Sequence, residues 1–101
     1  KAVAQAKREN KPLVLDFHAE WCIPCKQMEK DVFPDLKVAA QLKRVVFIRI
    51  DTDQEPELTQ KLGVVGLPDI RFATSSGKIV HKTIGFQDAD SFSAQLSKLL
   101  K

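Results

Sequence analysis

Four short runs of apolar residues alternate along the chain with segments whose apolar residues recur at helical spacing. The runs at residues 13–17 and 45–50 are nearly continuous, as in parallel strands that are covered on both faces. The runs at 70–73 and 79–84 are joined by the turn Thr74-Ser75-Ser76-Gly77, which is short enough for an antiparallel hairpin. The pattern predicts four strands in one mixed sheet.

Prolines and polar caps divide the helical segments. Pro24, Pro34 and Pro56 each suit the first turn of a helix, and Gly63 stands where a helix-terminating glycine belongs. Asp88 can cap the last helix. The predicted helices occupy residues 1–9, 24 to a break at 34, 35–44, 56 to the stop at 63, and 88 to the end. If the two helical segments on either side of Pro34 are counted as one, the order along the chain is α-β-α-β-α-β-β-α. This order predicts one α/β domain over residues 1–101 with helices on both faces of the sheet.

Composition narrows the class of protein. Of 101 residues, 44% are hydrophobic and 29% charged, as in an ordinary globular domain, and no apolar run approaches the ~20 residues of a membrane-spanning helix. The net charge of +3 comes from scattered lysines and not from a basic block, so we expect no binding of nucleic acid. As an isolated domain the chain is expected to be monomeric.

The only two cysteines, Cys22 and Cys25, are separated by two residues at the junction of a predicted strand and helix. Amides and partial positive charge at a helix N-terminus stabilise a thiolate, which makes Cys22 the candidate nucleophile of disulfide exchange. Cys25 is then placed to attack the resulting mixed disulfide and release the reduced partner. We therefore expect an exposed Cys22 with a lowered pKa and a shielded Cys25, with no cofactor besides their redox-active disulfide.

The cysteines allow three other interpretations. A structural disulfide over so short a loop would constrain the unfolded chain little. A zinc site needs about four ligands, and His18 and His81 do not form a second spaced pair. Two buried, inert cysteines are the third alternative. A CxxC motif near a βαβ pattern favours redox activity, and the absence of histidine between the cysteines favours a reductant over a strong oxidant.

Two acidic residues near the motif are candidates for proton transfer. Asp16 interrupts an apolar strand, where a charge is costly to bury unless it is used, so it is a candidate proton acceptor for Cys25 with a pKa raised by desolvation. The alternative is a carboxylate that reaches solvent at the strand end. Glu20 can tune the same proton transfer, or it is an ordinary surface acid.

Gly66-Leu67-Pro68 precedes the hairpin, and a proline that enters a strand belongs at an edge or in a special peptide geometry. A cis Leu67-Pro68 bond would leave the Leu67 backbone free to pair with an extended substrate, whereas a simple turn proline would not. We expect partner proteins to dock on the surface around Trp21, Ile23, Leu67 and Pro68.

Taken together, these motifs resemble the thioredoxin family over nearly the whole chain. The resemblance implies the thioredoxin fold, with Cys22 attacking, Cys25 resolving and Asp16 as the buried carboxylate. It also implies that Trp21 flanks the site and that Pro68 is cis. The stretches that carry it are LDF at 15–17, AEWC at 19–22, PCK at 24–26 and GLP at 66–68.

Within that family the chain is most similar to the C-terminal periplasmic domain of the transmembrane reductase DsbD. This resemblance implies a periplasmic relay that takes electrons from a membrane domain, passes them to an N-terminal periplasmic domain and serves cytochrome c maturation. The residues that carry it are MEK at 28–30, Phe33, Asp35, Val38, Leu42, VGLP at 65–68, GFQDA at 85–89 and Phe92. The alternatives are a freestanding cytoplasmic thioredoxin that reduces many protein disulfides, and a binding or holdase module with incidental cysteines.

The sequence departs from the thioredoxin pattern in several places. Ile23-Pro24 between the cysteines is closer to ordinary thioredoxins than to the DsbD domain. Asp69 stands where thioredoxins usually carry threonine, and Phe47 is expected at the strand position where they often carry a lysine near the buried aspartate. The first strand of a full thioredoxin fold is also missing, which suggests truncation or a variant edge.

Overall fold

The computed structural model describes residues 2–101, and Lys1, the first residue of the predicted N-terminal helix, lies outside them. Four strands form one sheet in the order β2-β1-β3-β4. β1 is parallel to β2 and antiparallel to β3, which pairs antiparallel with β4. The predicted mixed sheet is confirmed. The elements are α1 (Ala2–Glu9), β1 (Leu13–His18), α2 (Ile23–Asp31), α3 (Leu36–Leu42), β2 (Val46–Asp51), α4 (Pro56–Lys61), β3 (Asp69–Ala73), β4 (Ile79–Ile84) and α5 (Ala89–Leu99).

Local signals set the ends of several helices. Asp35 and Asp88 cap α3 and α5, because their carboxylates accept hydrogen bonds from backbone N–H groups three residues later. Gly63 has a φ of +69°, the left-handed conformation that ends a helix at low cost when no side chain is present. The Asp88 cap and the Gly63 stop lie where the sequence predicts them. The Asp35 cap was not predicted, and the placement of Pro34 in the first turn was wrong, because Pro34 precedes the N-cap residue of α3.

Two apolar clusters lie on opposite faces of the sheet. Because side chains alternate along a strand, Val14 of β1 points to one face and Leu13 to the other. The larger cluster joins strand residues to α2, α3 and α5, while the smaller one includes Ala6 of α1. The larger cluster comprises Val14, Met28, Val32, Val38, Val45, Ile70, Phe72, Phe92 and Leu96. Helices on both faces are therefore confirmed, and the carboxyl end of β1 leads directly into the cysteine motif.

Candidate active site

The two cysteines form a disulfide at the start of α2. Cys22 is the N-cap residue, and the backbone N–H of Cys25 donates to its Sγ at 3.2 Å. Pro24 lies in the first helical turn, where its lack of an N–H costs nothing. The helix N-terminus thus offers a hydrogen-bond donor and partial positive charge to a sulfur anion at Cys22.

The expected contrast in exposure between the cysteines is absent in this oxidised form. Cys22 is 3% and Cys25 2% exposed, so the prediction of an exposed Cys22 was wrong. Both cysteines belong to a small buried cluster with Ala19, and the partly buried Leu67 packs against this cluster. Leu67 comes from a distant part of the chain, and only the folded structure brings it to the disulfide.

Asp16 is almost completely buried, with 1% of its surface exposed. Desolvation raises the pKa of its carboxyl group, and the charge and hydrogen bond of Arg49 act in the opposite direction. Its Oδ2 accepts from the Nε of Arg49 at 2.9 Å, and its Oδ1 has no hydrogen-bond partner among residues 2–101. The burial and the raised pKa agree with the prediction.

The cation beside Asp16 is Arg49, and the expectation of Phe47 at that position was wrong. The parallel register of β1 and β2 pairs Asp16 with Arg49, whereas Phe47 pairs with Val14. Phe47 instead packs edge-on against Phe33, with ring centroids 5.2 Å apart. The observed cation, Arg49, lies two residues further along β2 than Phe47, where the cation site was expected.

Alternating charges continue from Asp16 toward the surface. Arg49 donates from Nη2 to Oε2 of Glu29 at 2.7 Å, and this hydrogen bond is the main reason that the pKa of Glu29 is lowered. Lys26 lies 3.7 Å from Glu29 and 3.0 Å from Glu20. The hydrogen bond from Lys26 to Glu20 raises the pKa of the lysine. Glu20 is therefore the exposed outer end of a series of ion pairs that leads to Asp16 through Lys26, Glu29 and Arg49.

The residues predicted to bind a partner protein come from two parts of the chain, the cysteine motif and the loop before β3. Trp21 is 67% and Ile23 79% exposed, so both side chains next to Cys22 are accessible to a partner protein. The Leu67-Pro68 peptide bond is cis, as the family resemblance implied. Pro68 is buried, and its carbonyl accepts from the N–H of Gly85 at 2.8 Å.

The chain is similar to known proteins in both its sequence and its fold. The family model described as a thioredoxin-like domain matches residues 1–100. The chain belongs to the thioredoxin-like domain family. It is 40% identical to the thiol:disulfide interchange protein DsbD of Vibrio vulnificus over 96% of its own length, and it spans 17% of the length of that relative.

Solved structures support the same assignment for this thioredoxin-like domain. The reduced C-terminal domain of Neisseria meningitidis DsbD is 30% identical, with a TM-score of 0.79, and the match covers 96% of this chain and 90% of that one. The oxidised form of the same domain is 32% identical, with a TM-score of 0.81 and coverage of 96% and 89%. The chain has the thioredoxin fold and carries the CxxC disulfide of a thiol–disulfide oxidoreductase.

The structure of this thioredoxin-like domain also reveals site residues that the sequence interpretation missed. Arg49 on β2 reaches Asp16 on the adjacent strand β1. Asp53 accepts a hydrogen bond from the indole N–H of Trp21 at 3.0 Å. Glu29 was among the residues that carry the family resemblance, but no function was predicted for it. An arginine inside an apolar strand was the available signal for Arg49, because a charge there needs a partner.

Nowhere in residues 2–101 do three or more His, Cys, Asp or Glu side chains converge in a way that could hold a metal ion. No helix in the same part is long and apolar enough to cross a membrane.

Proposed function

We propose that residues 1–101 form one reductase domain of a longer DsbD-like protein and relay electrons from a membrane domain to an N-terminal periplasmic domain. The observation that carries this proposal is the Cys22–Cys25 disulfide at a helix start, within a chain that matches DsbD over 96% of its length. The working location would be the periplasm, and the final acceptors would be protein disulfides, including those of cytochrome c maturation.

The proposed exchange begins with the reduced domain. The Cys22 thiolate attacks one sulfur of the partner disulfide, the partner S–S bond breaks, and the other partner sulfur leaves as a thiol after taking a proton. Cys25 then loses its proton and attacks Sγ of Cys22. The mixed disulfide breaks, Cys22 and Cys25 become oxidised, and the partner leaves as a dithiol. Two electrons pass to the partner, and a dithiol of the membrane domain reduces the pair again.

Asp16 is the proposed acceptor for the Cys25 proton. A raised pKa brings a carboxyl group closer to the pH at which proton exchange with a thiol is efficient, and its Oδ1 has no competing hydrogen bond within the described chain. Glu20, at the exposed end of the alternating charges, is proposed to tune this step through Lys26. Both roles depend on charge and not on direct contact with the partner.

The docking surface is proposed to comprise Trp21, Ile23 and Leu67, with the buried Pro68 shaping the loop behind Leu67. Leu67 packs against the cluster of Ala19, Cys22 and Cys25, and its backbone N–H and C=O form no backbone hydrogen bond within residues 2–101. An extended partner segment can therefore pair with this backbone while its sulfur meets Cys22. Main-chain pairing tolerates varied side chains, which suits a domain that serves two partners.

The relay is tested by replacing the C-terminal domain of Vibrio vulnificus DsbD with this chain, in cells that lack DsbD. We expect the chimera to restore the reduced state of the N-terminal domain, measured by thiol alkylation. The Cys22→Ser chimera is the matched control and should leave that domain oxidised. A chimera that is stably inserted yet leaves the N-terminal domain oxidised contradicts the relay.

The alternative functions give different results with the purified chain. A freestanding thioredoxin should be reduced rapidly by thioredoxin reductase and NADPH, whereas the relay domain should be reduced faster by the membrane domain of DsbD. If the chain is a binding or holdase module, Cys22→Ser should leave the result of an insulin-reduction assay unchanged.

Preferential alkylation of Cys25 in the reduced protein would reverse the proposed roles of the two cysteines.

A trapped complex tests the docking surface. The Cys25→Ser variant should accumulate a mixed disulfide at Cys22, because the resolving thiol is gone. We expect the partner chain in this complex to pair with the Leu67 backbone. A complex in which the partner reaches Cys22 without touching Leu67 would refute this mode of recognition.

A further inference from the structure

We infer that the buried ion pair between Asp69 and Arg71 positions the docking loop, residues 66–68, relative to the cysteines. The inference rests on the docking mode proposed above for Leu67. All five residues of β3 are buried, although two of them are charged. Asp69 is 0% and Arg71 6% exposed, so the pair is held inside the protein just behind the docking loop.

The two side chains meet in a bidentate arrangement. Nε of Arg71 lies 3.0 Å from Oδ1 of Asp69, and Nη2 lies 3.1 Å from Oδ2. The guanidinium carbon of Arg71 also lies 5.5 Å from the ring centroid of Phe17, which is fully buried in β1. The planar fork and the ring together fix the orientation of Arg71 more narrowly than a single hydrogen bond would.

Stability alone gives a weak reason for such a pair. A buried ion pair is often no more stabilising than apolar residues of similar volume, because both charges must be desolvated. Its bidentate geometry, in contrast, restricts the relative positions of the two residues. Asp69 is also where the chain departs from the threonine usual in thioredoxins, and Arg71 supplies the partner that this departure requires.

The pair is connected to the site from two directions. Asp69 follows Pro68 directly, and the antiparallel register pairs it with Phe17. β1 ends one residue after Phe17, and the next residue, Ala19, belongs to the cluster of cysteines against which Leu67 packs. The contact of Arg71 with both Asp69 and Phe17 therefore holds the start of β3 against the strand that leads to Cys22. We assign Asp69 and Arg71 as positioning residues that act through Leu67.

The test compares the wild-type chain with the double variant Asp69→Thr/Arg71→Leu, which removes both charges together. Insulin reduction, with dithiothreitol as the electron source, should show a KM about tenfold to a hundredfold higher and little change in kcat. Reduction of bis(2-hydroxyethyl) disulfide should be unchanged, because so small a substrate does not need the docking loop. Exchange of the Gly85 amide, which donates to Pro68, should become faster.

Leu13→Ala is the matched control, because Leu13 is buried on the same face at the far end of β1. It should destabilise the protein while leaving the KM for insulin and the exchange of Gly85 relative to global unfolding unchanged. An equal rise in KM for this control would overturn the inference, since the effect would then be general loss of stability. A wild-type KM and wild-type Gly85 exchange in the double variant would also overturn it.

If the double variant does not fold, Arg71→Lys decides the question. Lysine keeps the charge but cannot bind Asp69 through two parallel bonds, so Gly85 exchange should still become faster. Unchanged Gly85 exchange in this variant would refute the positioning role. Failure of the proposed function is recognised separately, because Cys22→Ser would then still reduce insulin.

Discussion

Nε of Arg49 lies 2.9 Å from Oδ2 of Asp16, so a partly exposed guanidinium on β2 is paired with a fully buried carboxylate on β1. The same guanidinium also holds Glu29 on α2. One cation therefore influences two carboxyl groups, one inside the protein and one near its surface. The protonation of Asp16 is set by the balance between desolvation and this neighbour.

Replacing Arg49 by glutamine should raise the pKa of Asp16 further, because desolvation remains while the opposing charge is lost. The pKa of Glu29 should also rise toward its ordinary value. Carboxyl carbon shifts in an NMR titration measure both changes. The low-pH limb of the rate of mixed-disulfide resolution should move to higher pH, since Asp16 must be ionised to accept a proton. Arg44→Gln is the control, and an unchanged Asp16 titration in Arg49→Gln would contradict the account.

Asp16→Asn should stabilise the folded chain at neutral pH. Between the ordinary pKa of aspartate and the raised pKa of Asp16, the folded state binds more protons than the unfolded state, so wild-type stability falls as pH rises through this window. The variant should lack that fall, with Tm higher by about 4–8 °C for each kcal/mol gained. Thermal unfolding across pH measures the effect, and parallel curves for the two proteins would exclude it.

The same variant should be a poorer catalyst. Loss of a general base typically slows proton transfer about 10²-fold or more, so release of the partner from the mixed disulfide should slow while its formation at Cys22 does not. Stopped-flow or quenched-flow alkylation separates the two steps. Equal rates of release in wild type and Asp16→Asn would make Asp16 a structural residue only.

Asp53→Ala should loosen Trp21 without unfolding the chain. The indole N–H loses its acceptor at an exposed position, where a hydrogen bond contributes only about 0.5–1.5 kcal/mol. Trp21 is the only tryptophan, so its fluorescence anisotropy reports the change directly and should fall. The KM for insulin should rise, because a mobile indole costs more entropy to dock. Glu55→Ala is the control in the same loop, because this acidic side chain forms no capping hydrogen bond, and unchanged anisotropy in Asp53→Ala would count against the contact of Trp21 with Asp53.

Asp88→Ala should lower stability by about 1 kcal/mol, or a Tm decrease of roughly 4–8 °C, through loss of the N-cap of α5. Its carboxylate accepts from the backbone N–H of Ser91 at 2.9 Å. Asp90→Ala removes an acid from the same turn without breaking this cap and should cost less. Equal Tm values for the two variants would show that the helix dipole and not the cap is what matters. Insulin reduction should be unaffected by either change.

Most of the fold could be predicted because its signals are local. The continuous apolar run in β1, the short hairpin turn before β4 and the cap of α5 each depend on residues within a few positions of one another. The placement of Cys22 at a helix start has the same origin, since Pro24 and the preceding strand are its neighbours. The sequence by itself therefore determined the order and approximate positions of the strands and helices, and the position of the cysteine pair at a helix start.

The tertiary structure decided the contacts between distant residues. The pairing of Asp16 with Arg49 and not with Phe47 depends on the register of two strands, and a shift of two positions preserves the same inward and outward pattern. The burial of Cys22 by Leu67 and the bond from Trp21 to Asp53 likewise join segments that are far apart in sequence. Hydrophobic periodicity specifies which face a side chain occupies, but only the packing of complete strands and loops fixes which partner it meets there.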